Sequence, residues 1–109
     1  MDAQLRKQLT DTIRYRRYKQ RLGDGEIQYQ EPIEMSGLVY GQVRIFRSDR
    51  GEESTSAQTL LLDGKAPIDL FGDHRLRAQF ELAQGWRSPS SINPMFDERG
   101  YLDTIEVTF

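Results

Sequence analysis

The 109-residue sequence contains no cysteine, which excludes a disulfide framework and any thiolate metal site, and fits folding in a reducing compartment. It has a single histidine, His74, and a single tryptophan, Trp86. One histidine with no cysteine and no G-x-S-x-G elbow cannot build a nucleophilic triad, and His74 reads as a loop residue after Asp73. Long apolar runs are also missing. Nothing approaches the roughly 20 residues of a membrane helix, and no basic-then-apolar leader opens the chain, so a soluble, cytosol-made protein is expected. No glycine loop precedes a helix in the manner of a phosphate cradle. Asp63, Asp69 and Asp73 lack calcium-loop spacing and flank Pro67, so they read as turn residues. Asp97 and Glu98 are neighbours in a turn, a poor arrangement for a catalytic carboxylate pair. No catalytic residue, cofactor or metal is expected.

Apolar residues make up 37% of the chain and charged residues 29%. A modest apolar fraction suits a single small core whose remaining apolar surface is completed by neighbours. The net charge of −2 conceals an uneven distribution. Residues 1–22 hold seven basic side chains against two acidic ones, and the remainder holds eight against fifteen. A basic start joined to an acidic body points to a partner surface of opposite charge, another copy of the chain included.

The periodicity is that of strands. Ala3 to Gln8 forms at most a short helix, so residues 1–11 read as an arm or a helical turn. Thr12 to Arg16 then alternates polar with apolar, sending Ile13 and Tyr15 inward. The glycines of Leu22–Gly25 make a turn, and Ile27 and Tyr29 continue until Pro32. A long strand is expected from Ile33 or Leu38 to Arg47, with Val39, Gly41, Val43 and Ile45 on one face. After a polar turn over Asp49–Glu53 it returns from Ser54 to Leu62. Arg75 to Leu82 is the clearest alternation, Gly85 to Pro94 reads as a loop, and Asp97–Gly100 as a turn. Leu102 to Phe109 closes the chain with Ile105, Val107 and Phe109 in alternation. The expectation is one all-β domain over residues 1–109, a small antiparallel barrel or sandwich of about six strands with long loops.

Two segments stand out as binding surfaces. Arg14, Arg16, Arg17, Lys19 and Arg21 are interleaved with Tyr15 and Tyr18, as in surfaces that stack on single-stranded nucleic acid, or as in a strand whose cations face an acidic partner. Trp86 and Arg87 are the residue types that dominate interface energetics, although a Trp can equally cap one end of a barrel.

The ordered landmarks resemble the head-closure, or stopper, proteins of tailed bacteriophages. The likeness lies in Leu5-Arg6, the Thr12–Tyr15 strand, the Tyr29/Pro32 step and Gly51-Glu52 before the Ser54–Leu62 return. It continues in the Asp69–Asp73 turn and the closing Asp97–Tyr101 and Ile105–Val107 segments. It spans nearly the whole chain through short, degenerate elements. The resemblance implies a small β-barrel assembled as a homo-oligomeric ring in the virion, built in the host cytoplasm. Portal and adaptor would stand above it and tail proteins below, with packaged DNA near a channel loop. On that reading Arg14, Arg16, Arg17, Lys19, Arg21, Trp86 and Arg87 form the candidate assembly interface. Reversing Arg14, Arg16 and Arg17 should then abolish assembly and leave the isolated fold intact. The alternative is an OB-like single-strand-binding module that stacks bases on Tyr15, Tyr18, Phe46 and Trp86.

Overall fold

The computed structural model describes residues 3–41, 45–47, 53–55, 58–83 and 85–109. Among the described residues one short helix, α1 (Ala3–Lys7), precedes eleven strands. These are β1 (Asp11–Arg16), β2 (Tyr18–Arg21), β3 (Ile27–Tyr29), β4 (Ile33–Tyr40), β5 (Ile45–Arg47) and β6 (Glu53–Thr55). They are followed by β7 (Thr59–Asp63), β8 (Gln79–Leu82), β9 (Gly85–Arg87), β10 (Ser91–Phe96) and β11 (Leu102–Thr108). The fold is all-β, a curled antiparallel sheet forming a half-barrel. Seven strands run in the order β10-β11-β7-β4-β1-β8-β9, and two hairpins, β2-β3 and β5-β6, stand apart from that sheet.

The curl follows from chain reach. Six gaps of about 4.8 Å would hold the edges of a flat seven-stranded sheet about 29 Å apart. Yet the two edge strands, β9 and β10, are joined by residues 88–90 alone, which reach about 14 Å at most. The sheet must therefore bend until its edges approach. Its concave face takes Ile13 and Tyr15 from β1, Leu60 and Leu62 from β7, Phe80 and Leu82 from β8, and Ile105 and Val107 from β11. Each pair sits at the period of two that places alternate side chains on one face. Gly37 of β4 faces the same core opposite Leu62. A Cβ there would stand 2.8 Å from Leu60 Cδ1 and 3.0 Å from Leu62 Cδ2, so the strand tolerates glycine because the leucines occupy the space.

Several boundaries differ from the sequence expectation. The strand expected from Ile33 to Arg47 ends at Tyr40, because Gly41 adopts φ +90°, a left-handed conformation that only glycine takes readily. Beyond it β5 pairs with β6 as a separate hairpin, so the expected return from Ser54 is divided between β6 and β7. Val43 and most of the Asp49–Glu53 turn lie outside the described residues. The expected Arg75–Leu82 strand begins only at Gln79. Its partner β1 ends at Arg16, opposite Gln79, so earlier residues have no ladder to join. They turn locally instead, with the Arg77 and Ala78 amides donating to the His74 carbonyl. The expected Gly85–Pro94 loop is largely strand. Trp86 pairs with Glu81 in β9, and Pro94 sits in edge strand β10, where a missing N–H is tolerated.

Candidate functional site

Arg14 and Arg16 leave the convex face of β1, since Ile13 and Tyr15 take the concave one. Register sets Arg14 between Glu34 of β4 and Glu81 of β8, and its Nη1 donates to Glu81 Oε2 at 3.1 Å. Arg16 lies opposite Gln79 and donates from Nε to Gln79 Oε1 at 3.1 Å. Its guanidinium carbon sits 4.1 Å from the Tyr29 ring centroid and 4.2 Å from that of Trp86. Arg14 approaches the same indole at 5.5 Å. The geometry is a cation held between two aromatic faces, which ties the β2-β3 hairpin to edge strand β9. Arg17 turns the other way. Its Nε donates to Asp69 Oδ1 at 3.1 Å and its Nη2 to the Pro67 carbonyl, anchoring the loop that follows β7.

The seven sequence-predicted residues therefore separate. Arg14, Arg16 and Trp86 meet; Arg17 serves the neighbouring loop. Lys19 and Arg21 stand exposed on β2, with no ion pair among the described residues. Arg87 lies opposite Phe80, so by strand alternation it points away from the Trp86 side. Arg14, Arg16 and Arg17 hold the chain's own Glu81, Gln79 and Asp69, so reversing them would break contacts within the chain as well as any contact with a partner.

The proposed stacking platforms fare unevenly. Tyr15 is fully buried against Phe80, with ring centroids 4.8 Å apart, so it offers no face to a base. Burial pushes its phenol pKa up, against the opposing pull of the Asp69 amide, which donates to the hydroxyl at 3.2 Å. Trp86 is occupied by Arg16, and the Phe46 ring lies outside the described part of the structure. Tyr18 stacks on His74 at 4.8 Å and 22°, with the Arg77 guanidinium 5.4 Å from its ring. Sequence reading assigned His74 to a loop without finding this partner, because the stack joins segments far apart in the chain.

A second group went unrecognised in the sequence. Phe71, Phe96 and Tyr101 are 74%, 57% and 69% exposed. Phe96 and Tyr101 flank the β10-β11 turn, whose geometry is fixed by Asp97. Its Oδ1 accepts from the Arg99 and Tyr101 amides at 2.9 and 3.0 Å. The available signal was an aromatic on each side of Asp97–Gly100, in a turn too short to bury either.

Near α1, Arg6 Nε donates to Asp63 Oδ2 at 2.7 Å. Partial burial alone would raise the Asp63 pKa, but the Lys65 amide and the Arg6 guanidinium outweigh it and hold the carboxyl below its ordinary value. Among the described residues no three His, Asp or Glu side chains converge in a metal-binding arrangement. Compared with protein-family models and with curated proteins, the sequence matches none.

Proposed function

We propose that this protein is a structural subunit of the head-tail connector of a tailed bacteriophage. It acts as a head-closure protein, joining head to tail as a ring and retaining packaged DNA. Its partners are the portal and adaptor above, the tail proteins below, and copies of itself at either side. Its work is surface complementarity and not catalysis. The ordered sequence resemblance motivates this reading, and one structural observation carries it furthest. The concave face of the sheet holds the described core, while Phe71, Phe96 and Tyr101 stand exposed in loops and beside a hairpin turn, where a macromolecular partner would cover them.

Electron microscopy of lysates from a phage lacking this gene tests the reading. Free tails beside empty or leaking heads are the expected result. Normal, joined, infectious particles would overturn it. Single-strand binding is the weaker reading, since Tyr15 is buried and Arg16 occupies the faces of Tyr29 and Trp86 that bases would use. Steeply salt-dependent quenching of Trp86 by oligonucleotides would restore it.

A further inference from the structure

In an antiparallel sheet the amide and carbonyl of one residue point to the same side of the strand, and that side alternates along the chain. The open edges of the seven-stranded sheet can therefore be followed residue by residue. The Phe109 amide donates to the Gln58 carbonyl and the Gly64 amide to the Asp103 carbonyl, both at 3.0 Å, so the odd-numbered residues of β11 bond toward β7. Thr104, Glu106 and Thr108 then bond toward β10, where they lie opposite Met95, Asn93 and Ser91. Ile92, Pro94 and Phe96 turn their backbone groups the other way. Past the irregularity at Met95–Phe96 the phase holds, because the Asp97 amide donates back to the Tyr101 carbonyl at 2.8 Å. Among the described residues β10 has a strand on one side only, so those three residues form an open edge.

The same alternation runs across β4, β1 and β8, and the Val39 amide, which donates to Asp11 of β1 at 3.0 Å, keeps the phase. It pairs Gly85 and Arg87 with β8 and leaves Trp86 alone facing outward from β9. The β9 edge, with one outward residue, is too short to template a strand. The β10 edge is long enough, and the middle one of its three outward positions is Pro94.

Proline has no N–H to offer an incoming strand. Within the chain Pro94 removes no ladder bond, because Ile105 opposite it bonds to Leu62 of β7. Moved one residue either way, to Asn93 or Met95, it would remove one. If β10 of two copies met antiparallel about a two-fold axis, Ile92 would face Phe96 and Pro94 would face its own counterpart. The central pair would then hold a carbonyl from each strand and no donor, and unpaired groups of that kind are costly to bury. We infer that Pro94 closes the β10 edge to strand addition by a second copy of this chain. Copies cannot continue the sheet and are left to associate through side chains and loops. The block is a property of the isolated chain and does not depend on the connector reading.

Pro94→Thr and Pro94→Ala restore the missing donor. Light scattering after size exclusion, over a range of concentrations, reads the mass of the purified full chain, and amide exchange reads the edge. Both variants should move toward twice the wild-type mass as concentration rises, Pro94→Thr further because threonine favours strands. Exchange at Ile92 and Phe96 should slow in step. Asn93→Thr also gains strand propensity, but its N–H faces β11, so it should keep the wild-type mass. Folded Pro94 variants that hold the wild-type mass would overturn the block. Equal doubling in Asn93→Thr would overturn it too, since propensity and not the edge donor would then be the cause. A wild-type chain whose Ile92 and Phe96 amides slow with concentration would show the edge already in use, and would overturn it as well.

Discussion

The seven-stranded sheet and the β2-β3 hairpin are neighbours in sequence but are held by different physics. In the sheet, Tyr15, Leu60, Leu62, Phe80, Ile105 and Val107 are fully buried, and stability comes from apolar area removed from water. In the hairpin no residue is buried. It is held by Arg16 between Tyr29 and Trp86, by the Tyr18–His74 stack, and by the Gln30 amide donating to the Arg17 carbonyl at 2.8 Å. Cation–aromatic contacts of this kind contribute about 0.5–2 kcal/mol each, depending on desolvation. The first region should open only when the whole protein unfolds, and the second should open locally at much lower free energy. A binding surface on the hairpin is thereby free to adjust to a partner without cost to the core.

The largest expected effect lies in the sheet. Phe80 packs against Tyr15 and meets Phe109 edge-on at 5.6 Å. Phe80→Ala should cost about 3–5 kcal/mol, a large share of the about 5–15 kcal/mol that holds a domain of this size. The urea midpoint should fall and the sheet strands should lose protection, while the hairpin, whose amides exchange by local opening, should change little. A hairpin that lost protection in step with the sheet would break the proposed separation of the two regions.

Arg16→Lys probes the opposite side of the comparison. It keeps the charge but removes the planar group that contacts both rings. Amide exchange over residues 18–29 should rise by about tenfold, the equivalent of about 1.4 kcal/mol, while β7 and β11 stay protected. Unchanged exchange in the hairpin would mean that charge alone, without stacking, holds it.

The smallest effect comes from Asp63, a polar pin on the sheet side. Because its carboxyl pKa is depressed in the folded state, its contribution is present above the ordinary Asp value and is lost as pH falls through the lower folded value. With Arg6 half-exposed, that contribution should stay under about 1 kcal/mol. Asp63→Asn should lower stability slightly at neutral pH, and the difference from wild type should vanish on acidification. A difference that persisted at low pH would assign the effect to the shape of the turn instead of the charge.

The β class and most of the core were legible in the sequence because alternation survives wherever one face is buried. Ile13 with Tyr15, and Ile105 with Val107 and Phe109, were read from period alone and lie in the core. Strand ends were less legible because they depend on partners. Gln79 begins a strand where β1 can meet it, and Leu76, with equally good alternation, does not. The candidate interface was half legible. A run of arginines is visible in one dimension, but their acceptors are not. Glu81 and Asp69 lie 67 and 52 residues from the arginines they bind. That distance is why paired cations and free ones, such as Lys19 and Arg21, look alike in the sequence.

The position of β1 between β4 and β8 also has a consequence for how the chain is made. Its first neighbour, β4, follows within 26 residues, but Phe80, the partner of Tyr15, is 65 residues further on. At a synthesis rate of about 5–20 residues per second, one side of β1 waits about 3–13 s on the ribosome for its ladder. An unpaired edge exposed for that long is a template for aggregation, and charged residues are the usual protection. Arg14 and Arg16, spaced along that strand, would act as nascent-chain gatekeepers before they become ligands of Glu81, Gln79, Tyr29 and Trp86.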